Sequence, residues 1–390
     1  MRILMVLTQP LDPTTGGVQM STVKMARMLS GQGYEVAVYS FARSGHVDTP
    51  HATLFSAPED GNLGNPANLG ALTRCLREYA PDVVINQMAY EHVITDALEA
   101  HSTAVRIGVL RNTLFSVRDN LNRYADSILP PRLAKFVKNP IGRFGLLFLH
   151  KRRHRRDLRR ILKSYDRFVM FAEPNLAELA YFVNDYDRRK VALIPNSIPS
   201  VAAELPTKQK RMLWLARVSE HQKRADLILP LWRKIHSELA DWRMDVVGDG
   251  PLLAVLRAQV VEDGLSGIQF HGRQPSQPFL EKASIFIMTS DFEGFANTLL
   301  EAQSQGAVPV VFDTFPMLRW IVNDGRDAVV VPKNDLDGMA TAVIDLGKTA
   351  DRRYQLAQGA LVNAERFTES KVAGLWGQLV EDVVTDRCRT

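Results

Sequence analysis

The sequence predicts an α/β protein of two doubly wound domains, each a parallel sheet flanked by helices, facing one another across an interdomain cleft. Three observations predict it. The chain has 390 residues, more than one hydrophobic core usually serves. Short apolar and β-branched runs alternate with helix-patterned stretches from the first residues onward. Near the middle the alternation stops in a polar stretch broken by two prolines, residues 197–211 (SIPSVAAELPTKQKR), and then starts afresh. The expected divisions are 1–200, 201–368 and a terminal helix within 369–390.

Residues 3–7 (ILMVL) read as a buried strand, followed by a Pro- and Gly-rich loop, 8–17. A helix pattern opens at Val18 and closes at Gly31 and Gly33, and 35–41 (EVAVYSF) is the next strand, completing a βαβ unit. The series continues with a helix over 69–79 and strands at 82–85, 104–110, 168–172 and 191–195. The second series has strands at 212–216 (MLWLA), 243–247, 268–270, 283–289 (ASIFIMT), 308–312 and 328–331, with helices over 227–239 and 252–263. Residues 369–384 are helix-patterned, with Val372, Leu375, Trp376 and Leu379 on one stripe.

Composition narrows the class. The chain is 46% hydrophobic and 23% charged, ordinary for a globular protein. Cys75 and Cys388 have no Cys or His companions at metal-binding spacing, so no disulfide framework or zinc site is expected, and a reducing, cytoplasmic setting fits. The N-terminal MRILMVL suits a first strand better than a leader, and no apolar run approaches the ~20 residues that span a bilayer.

The most informative stretch is SDFEGFANTLLEA, residues 290–302. Glu293 falls in a strand-to-helix loop at the carboxyl edge of the sheet, where open α/β sheets bind ligands. Glu301 lies inside the following helix, amid Leu299, Leu300 and Ala302. At ~100° per residue, helical positions eight apart differ by about 80°, so both carboxylates can face one cleft. Free N–H groups at Ala296, Asn297 and Thr298 favour a phosphate, and a carboxylate beside it can accept from sugar hydroxyls. Glu293 could equally serve the helix N-terminus, and Glu301 an ion pair. Arg217 and Lys223 follow the strand 212–216 and suit a diphosphate, though surface cations are common. Gly16 and Gly17 before a helix start allow close approach of an anion, or form an ordinary turn. The three features converge on the same sheet edges.

With these residues in view, the chain resembles the retaining, GT-B-fold nucleotide-sugar glycosyltransferases of the "glycosyl transferases group 1" family, whose two domains are Rossmann-like. The most specific element is E-x7-E, Glu293-GFANTLL-Glu301. It is joined by VGDGP (247–251), FHG (270–272), GAVPVV (306–311), VNDGRDAVVVP (322–332), LIPNSI (193–198) and the Gly16-Gly17 loop. The resemblance implies a donor domain at 201–368 and an acceptor-side domain at 1–200. It also implies a C-terminal helix crossing back to the first domain, so that the cleft hinges closed on the donor. Arg217 and Lys223 would hold the diphosphate, and Glu301 the ribose. Glu293 would contact the transferred sugar with backbone groups of Phe295, Ala296, Asn297 and Thr298, and Gly16 and Gly17 would lie near the diphosphate or acceptor. No metal and no cofactor are implied, the nucleotide sugar being a co-substrate. The EGFANTLLEA version resembles enzymes of bacterial surface polysaccharides that use UDP-hexoses or UDP-N-acetylhexosamines. One departure stands out: where relatives carry an LHN-like pattern, this chain reads Leu110-Arg111-Asn112, which makes Arg111 a candidate sugar contact.

The formal charge of +5 is concentrated in KRRHRRDLRR, residues 151–160. Lys151, Arg152, Arg153, Arg155, Arg156, Arg159 and Arg160 form either the solvated face of a long helix or a contact for anionic lipid. The second reading suits a lipid-linked glycan acceptor and a peripheral place on the inner face of the cell membrane. Nucleic acid is disfavoured, because no aromatic residues interleave the charges. The expected activity is retaining transfer of a hexose or N-acetylhexosamine to a glycan. The competing readings are a nucleotide-sugar hydrolase or epimerase on the same fold, or a non-catalytic membrane- or nucleic-acid-binding module. A dinucleotide-dependent oxidoreductase is disfavoured, since Gly16-Gly17 is not G-x-G-x-x-G.

Overall fold

A computed structural model of the chain describes residues 1–12, 16–42, 50–59, 61–121, 125, 130, 132, 135 and 139–389. Residues 13–15 of the expected loop 8–17 lie outside these. The chain divides into two compact units, Met1–Ser197 with Glu369–Thr390, and Ile198–Thr368.

The first unit is built on seven parallel strands: β1 (Arg2–Leu7), β2 (Glu35–Ser40), β3 (Thr53–Ser56), β4 (Val83–Asn86), β5 (Val105–Val109), β6 (Arg167–Met170) and β7 (Val191–Leu193). Their order is β3-β2-β1-β4-β5-β6-β7. Period-two geometry decides what each face buries. Ile3, Met5 and Leu7 of β1 pack with Met25 and Leu29 of helix Gly17–Gly31, whereas Leu4 and Val6 face Leu72 and Leu76 of helix Pro66–Tyr79. The terminal helix Glu369–Arg389 joins the first of these layers through Val372, Trp376, Leu379, Val380 and Val383. Gln32 Nε2 donates to the Ala373 carbonyl at 2.6 Å, and Arg27 pairs with Glu369. Leu375, expected on the buried stripe, is exposed; the stripe advances through Trp376 and Leu379 instead.

The second unit has six parallel strands: β8 (Gln209–Leu215), β9 (Arg243–Val247), β10 (Ile268–Gly272), β11 (Ala283–Met288), β12 (Val308–Phe312) and β13 (Val329–Val331). They are ordered β10-β9-β8-β11-β12-β13. Its core gathers Met212, Trp214, Trp232, Ile235, Val246, Ile285, Ile287 and Val310. In both sheets the chain winds one way from the first strand, then returns to the other side. β1/β4 and β8/β11 are therefore the topological switch points.

Three local expectations change. β3 was not read from the sequence. β8 starts at Gln209, inside the stretch taken as polar linker. The helix expected over 227–239 is Ile228–Ile235, entered through a 3-10 turn at Ala225–Leu227, with Pro230 in its first turn, where the missing N–H costs little. Among the described residues no helix is long and apolar enough to cross a membrane.

Candidate functional site

The loops leaving β8 and β11 meet at the switch point of the second unit. Trp214 Nε1 donates to Thr289 Oγ1 at 3.0 Å, and Thr289 Oγ1 donates to the Lys223 carbonyl at 2.8 Å. Asp291 N bonds the Gln222 carbonyl at 2.9 Å. These bonds fasten the two loops together and place Lys223 Nζ 2.6 Å from Glu293 Oε1. Glu293 is buried, at 7% exposure, with Gln222 Nε2 3.5 Å from its other oxygen. A carboxylate so enclosed needs a cation, and Lys223 supplies it. Arg224, in left-handed backbone at φ 53°, is held by Asp226 at 3.0 Å, Asn334 at 3.1 Å and Asp291 at 3.4 Å.

Arg217 lies on the same β8 loop, exposed, and among the described residues no ion pair engages its guanidinium. Its loop is seated on the Gly248-Asp249-Gly250 turn that follows β9. Val218 N bonds the Asp249 carbonyl at 2.9 Å, and Leu252 N bonds the Val218 carbonyl at 3.1 Å. The seat is close enough that a Cβ on Gly248 would stand 1.8 Å from the Ala216 oxygen, at φ 140°. Ser219 Oγ, two residues past Arg217, is buried without a partner, which a ligand oxygen would satisfy.

Helix Asn297–Ser304 begins after Ala296, whose backbone is left-handed at φ 51° and which offers no capping side chain. Its first turn, with Asn297 and Thr298 half-buried, follows directly on the Glu293 loop. Phe295 is buried edge-on to Phe367 at 5.9 Å and near Trp320 at 6.3 Å, which fixes the loop's backbone. Glu301 is half-buried, and its carbonyl accepts from Ser304 Oγ at 2.8 Å. Among the described residues no group of three or more His, Cys, Asp or Glu side chains is arranged to hold a metal.

Gly16, Gly17 and Arg111 belong to the first unit. Gly16 caps helix Gly17–Gly31 in extended backbone, which any residue adopts, and an added Cβ would meet only the movable end of Gln19. Its conformation therefore does not demand glycine. Arg111, just beyond β5, donates to Gln87 Oε1 and, at 3.4 Å, to Asn196 Oδ1. Its Nε is buried with no partner, and burial pulls the guanidinium pKa down to about 9.

The basic segment lies on helix Pro140–Ser164. Part of it is engaged locally: Arg159 and Arg155 approach Asp185 at 2.5 and 3.9 Å, and Arg160 pairs with Asp96. Arg153 and Arg156 each reach Asp157 at 3.9 Å, and Lys151 sits 3.9 Å over the Tyr181 ring. Arg152 is exposed. One turn earlier, Ile141, Phe144, Phe148 and Leu149 are 80%, 74%, 56% and 62% exposed, at helical spacing, so the face is apolar before it is basic.

Ser219, Gln222, Thr289 and Asn196 were not singled out from sequence. VGDGP was noted, but not its part in seating Arg217.

Two Rossmann-like parallel-sheet units, with charged loops at a switch point, define a class of fold that solved glycosyltransferases share. The structures of S. aureus TarM, pneumococcal O-GlcNAc transferase GtfA and Anabaena HepE match with TM-scores of 0.72, 0.72 and 0.71. They cover 97–98% of this chain and 99–100% of theirs, at 12–14% identity. Family models described as "Glycosyl transferases group 1" and "Glycosyltransferase Family 4" match residues 209–349 and 15–200, and the chain belongs to the group 1 glycosyltransferases. Curated relatives include an exopolysaccharide phosphotransferase of Streptomyces coelicolor, 28% identical over 51% of this chain and 21% of its own length. Another is the lipopolysaccharide core biosynthesis glycosyltransferase LpsE of Rhizobium meliloti, 31% identical over 36% of this chain and 38% of its own. The matched stretches thus span well under half the length of these relatives.

Proposed function

We propose that the protein is a metal-independent, retaining glycosyltransferase. In this reading it moves a hexose or N-acetylhexosamine from a UDP-sugar to a glycan acceptor, lipid-linked, in polysaccharide synthesis. The observation that carries the reading is the Lys223–Glu293 pair at the β8/β11 switch point, on the β8 loop that also carries Arg217. Similar proteins support the nucleotide: GtfA was solved with UDP and GlcNAc, and HepE with UDP and glucose. The relatives in exopolysaccharide and lipopolysaccharide synthesis support the glycan acceptor.

The chemistry follows from the site. Breaking the anomeric bond leaves a diphosphate with added negative charge and a sugar with oxocarbenium character. Arg217 and the N-terminus of helix Asn297–Ser304 would stabilise the diphosphate. Lys223 spends one of its three N–H donors on Glu293 and keeps the others for a phosphate oxygen. Glu293, its charge balanced, is free to accept from a sugar hydroxyl. Same-face attack, with the leaving phosphate taking the acceptor's proton, would give retention without a protein base. The exposed apolar stripe of helix Pro140–Ser164, continued by Arg152, would rest on the anionic surface that presents a lipid-linked acceptor.

Thermal unfolding against a panel of nucleotides and nucleotide sugars tests the reading. A ligand at 100-fold its Kd should add about 2.7 kcal/mol. UDP and its sugars are expected to stabilise the wild type, with the gain lost in Lys223→Ala and Glu301→Ala. No shift with any nucleotide at millimolar concentration would sink the transferase reading.

A further inference from the structure

Arg224 stands in a backbone conformation that suits glycine. Its φ of 53° lies in the left-handed region, where a Cβ crowds the backbone. Such strain persists only where the surroundings over-determine it, and it gathers at functional sites. Here the surroundings grip the side chain, which is only 14% exposed. Nε donates to both oxygens of Asp226 at 3.1 Å, and Nη2 adds a 3.0 Å bond to one of them. Nη1 reaches Asn334 Oδ1 at 3.1 Å and Asp291 Oδ1 at 3.4 Å. Asn334 follows β13 and is itself left-handed, at φ 64°. Asp291 is buried, follows β11 and stands two residues before Glu293. One guanidinium thus ties together the loops that leave β8, β11 and β13. A glycine at 224 would relieve the backbone and lose all three partners. The main chain is fastened here as well, since Thr289 Oγ1 lies 2.8 Å from the Lys223 carbonyl and 3.2 Å from that of Arg224. Lys223 is therefore held through its own carbonyl and through the side chain that follows it, and its Nζ meets Glu293 Oε1 at 2.6 Å.

We propose that Arg224 is a positioning residue: its clamp on three loops fixes the Lys223 ammonium against Glu293, so that the cation for the donor diphosphate is set before the nucleotide arrives. The proposal rests on the transferase reading and adds what prepares its phosphate-binding lysine. The reach to Asn334 and Asp291, 110 and 67 positions away in the chain, distinguishes the clamp from a local ion pair with Asp226. A side chain ordered in advance spares binding the cost of ordering it.

UDP titration of the full chain tests this through a double-mutant cycle. Arg224→Gly, which relaxes the backbone while deleting the clamp, is expected to stay folded and to weaken UDP about tenfold. In a Lys223→Ala background the same change should weaken UDP by about twofold or less, because no ammonium is left to place. Arg224→Lys, keeping charge without the fork, should retain part of the affinity. Asn334→Gly removes one partner and leaves the arginine; it should weaken UDP about threefold, and it carries the same comparison if Arg224→Gly does not fold. Wild-type UDP affinity in folded Arg224→Gly overturns the proposal. So does a loss that persists undiminished in the Lys223→Ala background, which would mark a general effect on the site. If the wild type does not bind UDP, the functional reading fails, and urea unfolding decides the clamp. Glu293→Gln should then cost less stability in Arg224→Gly than in the wild type, and equal costs would overturn the clamp.

Discussion

Gly248 seats the β8 loop that carries Arg217 by lying close against the Ala216 carbonyl. A methyl group there would press 1.8 Å from the Ala216 oxygen, and φ of 140° is itself hostile to a side chain. Relief requires the β8 loop to lift, carrying Arg217 and Ser219 with it. Gly248→Ala is expected to cost about 2–4 kcal/mol in urea unfolding and to weaken UDP binding as far as Arg217→Ala does. Retained UDP affinity in a folded Gly248→Ala protein would show that the seat does not position the loop. At this scale the sequence was legible where chemistry is unusual for its surroundings. A glutamate ahead of Gly-Phe and another inside an apolar run invite explanation, but that Glu293 pairs with Lys223 was not read from the sequence. Thr289 and Ser219 invite none, because a lone hydroxyl carries no pattern. Thr289 acquires its role when folding brings it to Trp214, 75 positions away in the chain.

Helix Pro140–Ser164 presents opposite characters on its two sides. Outward, Phe144 and Phe148 are exposed ahead of the basic residues. Phe144→Asp with Phe148→Asp is expected to abolish co-sedimentation with vesicles rich in anionic lipid, leaving UDP binding intact; binding that persists would point to a solvated face. Inward, His150 and His154 stack with ring centroids 4.2 Å apart, and His154 lies 5.2 Å from Phe182 and 5.7 Å from Tyr90. Burial, reinforced by His150 and Arg153 against the pull of Asp157, lowers the His154 pKa from 6.5 to about 4. Between those values the unfolded chain binds a proton that the folded one refuses. Stability from this site is therefore present above about pH 6.5 and is lost as pH falls towards 4. The melting temperature should drop through that window, and less steeply in His154→Gln. Elements with strong periodicity were readable in advance. β3 was not, since an edge strand of four residues, paired to β2 alone and largely exposed, shows no apolar alternation.

The terminal helix is as much a part of the first unit's core as β1 is. Ending the chain at Thr368 removes Val372, Trp376, Leu379, Val380 and Val383 from that core. At roughly 1.5–3 kcal/mol for each fully buried large apolar side chain, the loss rivals the whole stability of a typical domain, about 5–15 kcal/mol. Limited proteolysis of the truncated chain should digest the first unit and spare 198–368, which has its own core; equal resistance of both would contradict that dependence. The sequence showed two α/β series and a terminal apolar stripe. It could not show that Leu375 leaves that stripe, because rotation about a helix axis is set by what the helix packs on. The second unit is entered and left at one point, where Ile198 N bonds the Phe367 carbonyl at 2.8 Å and the two segments run parallel as a bridge. It is thus a complete insertion within the first unit, and synthesis meets the pieces in a fixed sequence. A ribosome adding about 5–20 residues per second finishes the insertion while the first unit still lacks its last helix. The nascent first unit must therefore wait roughly ten seconds or more with the Met25 and Leu29 layer open, a window in which a chaperone has something apolar to hold.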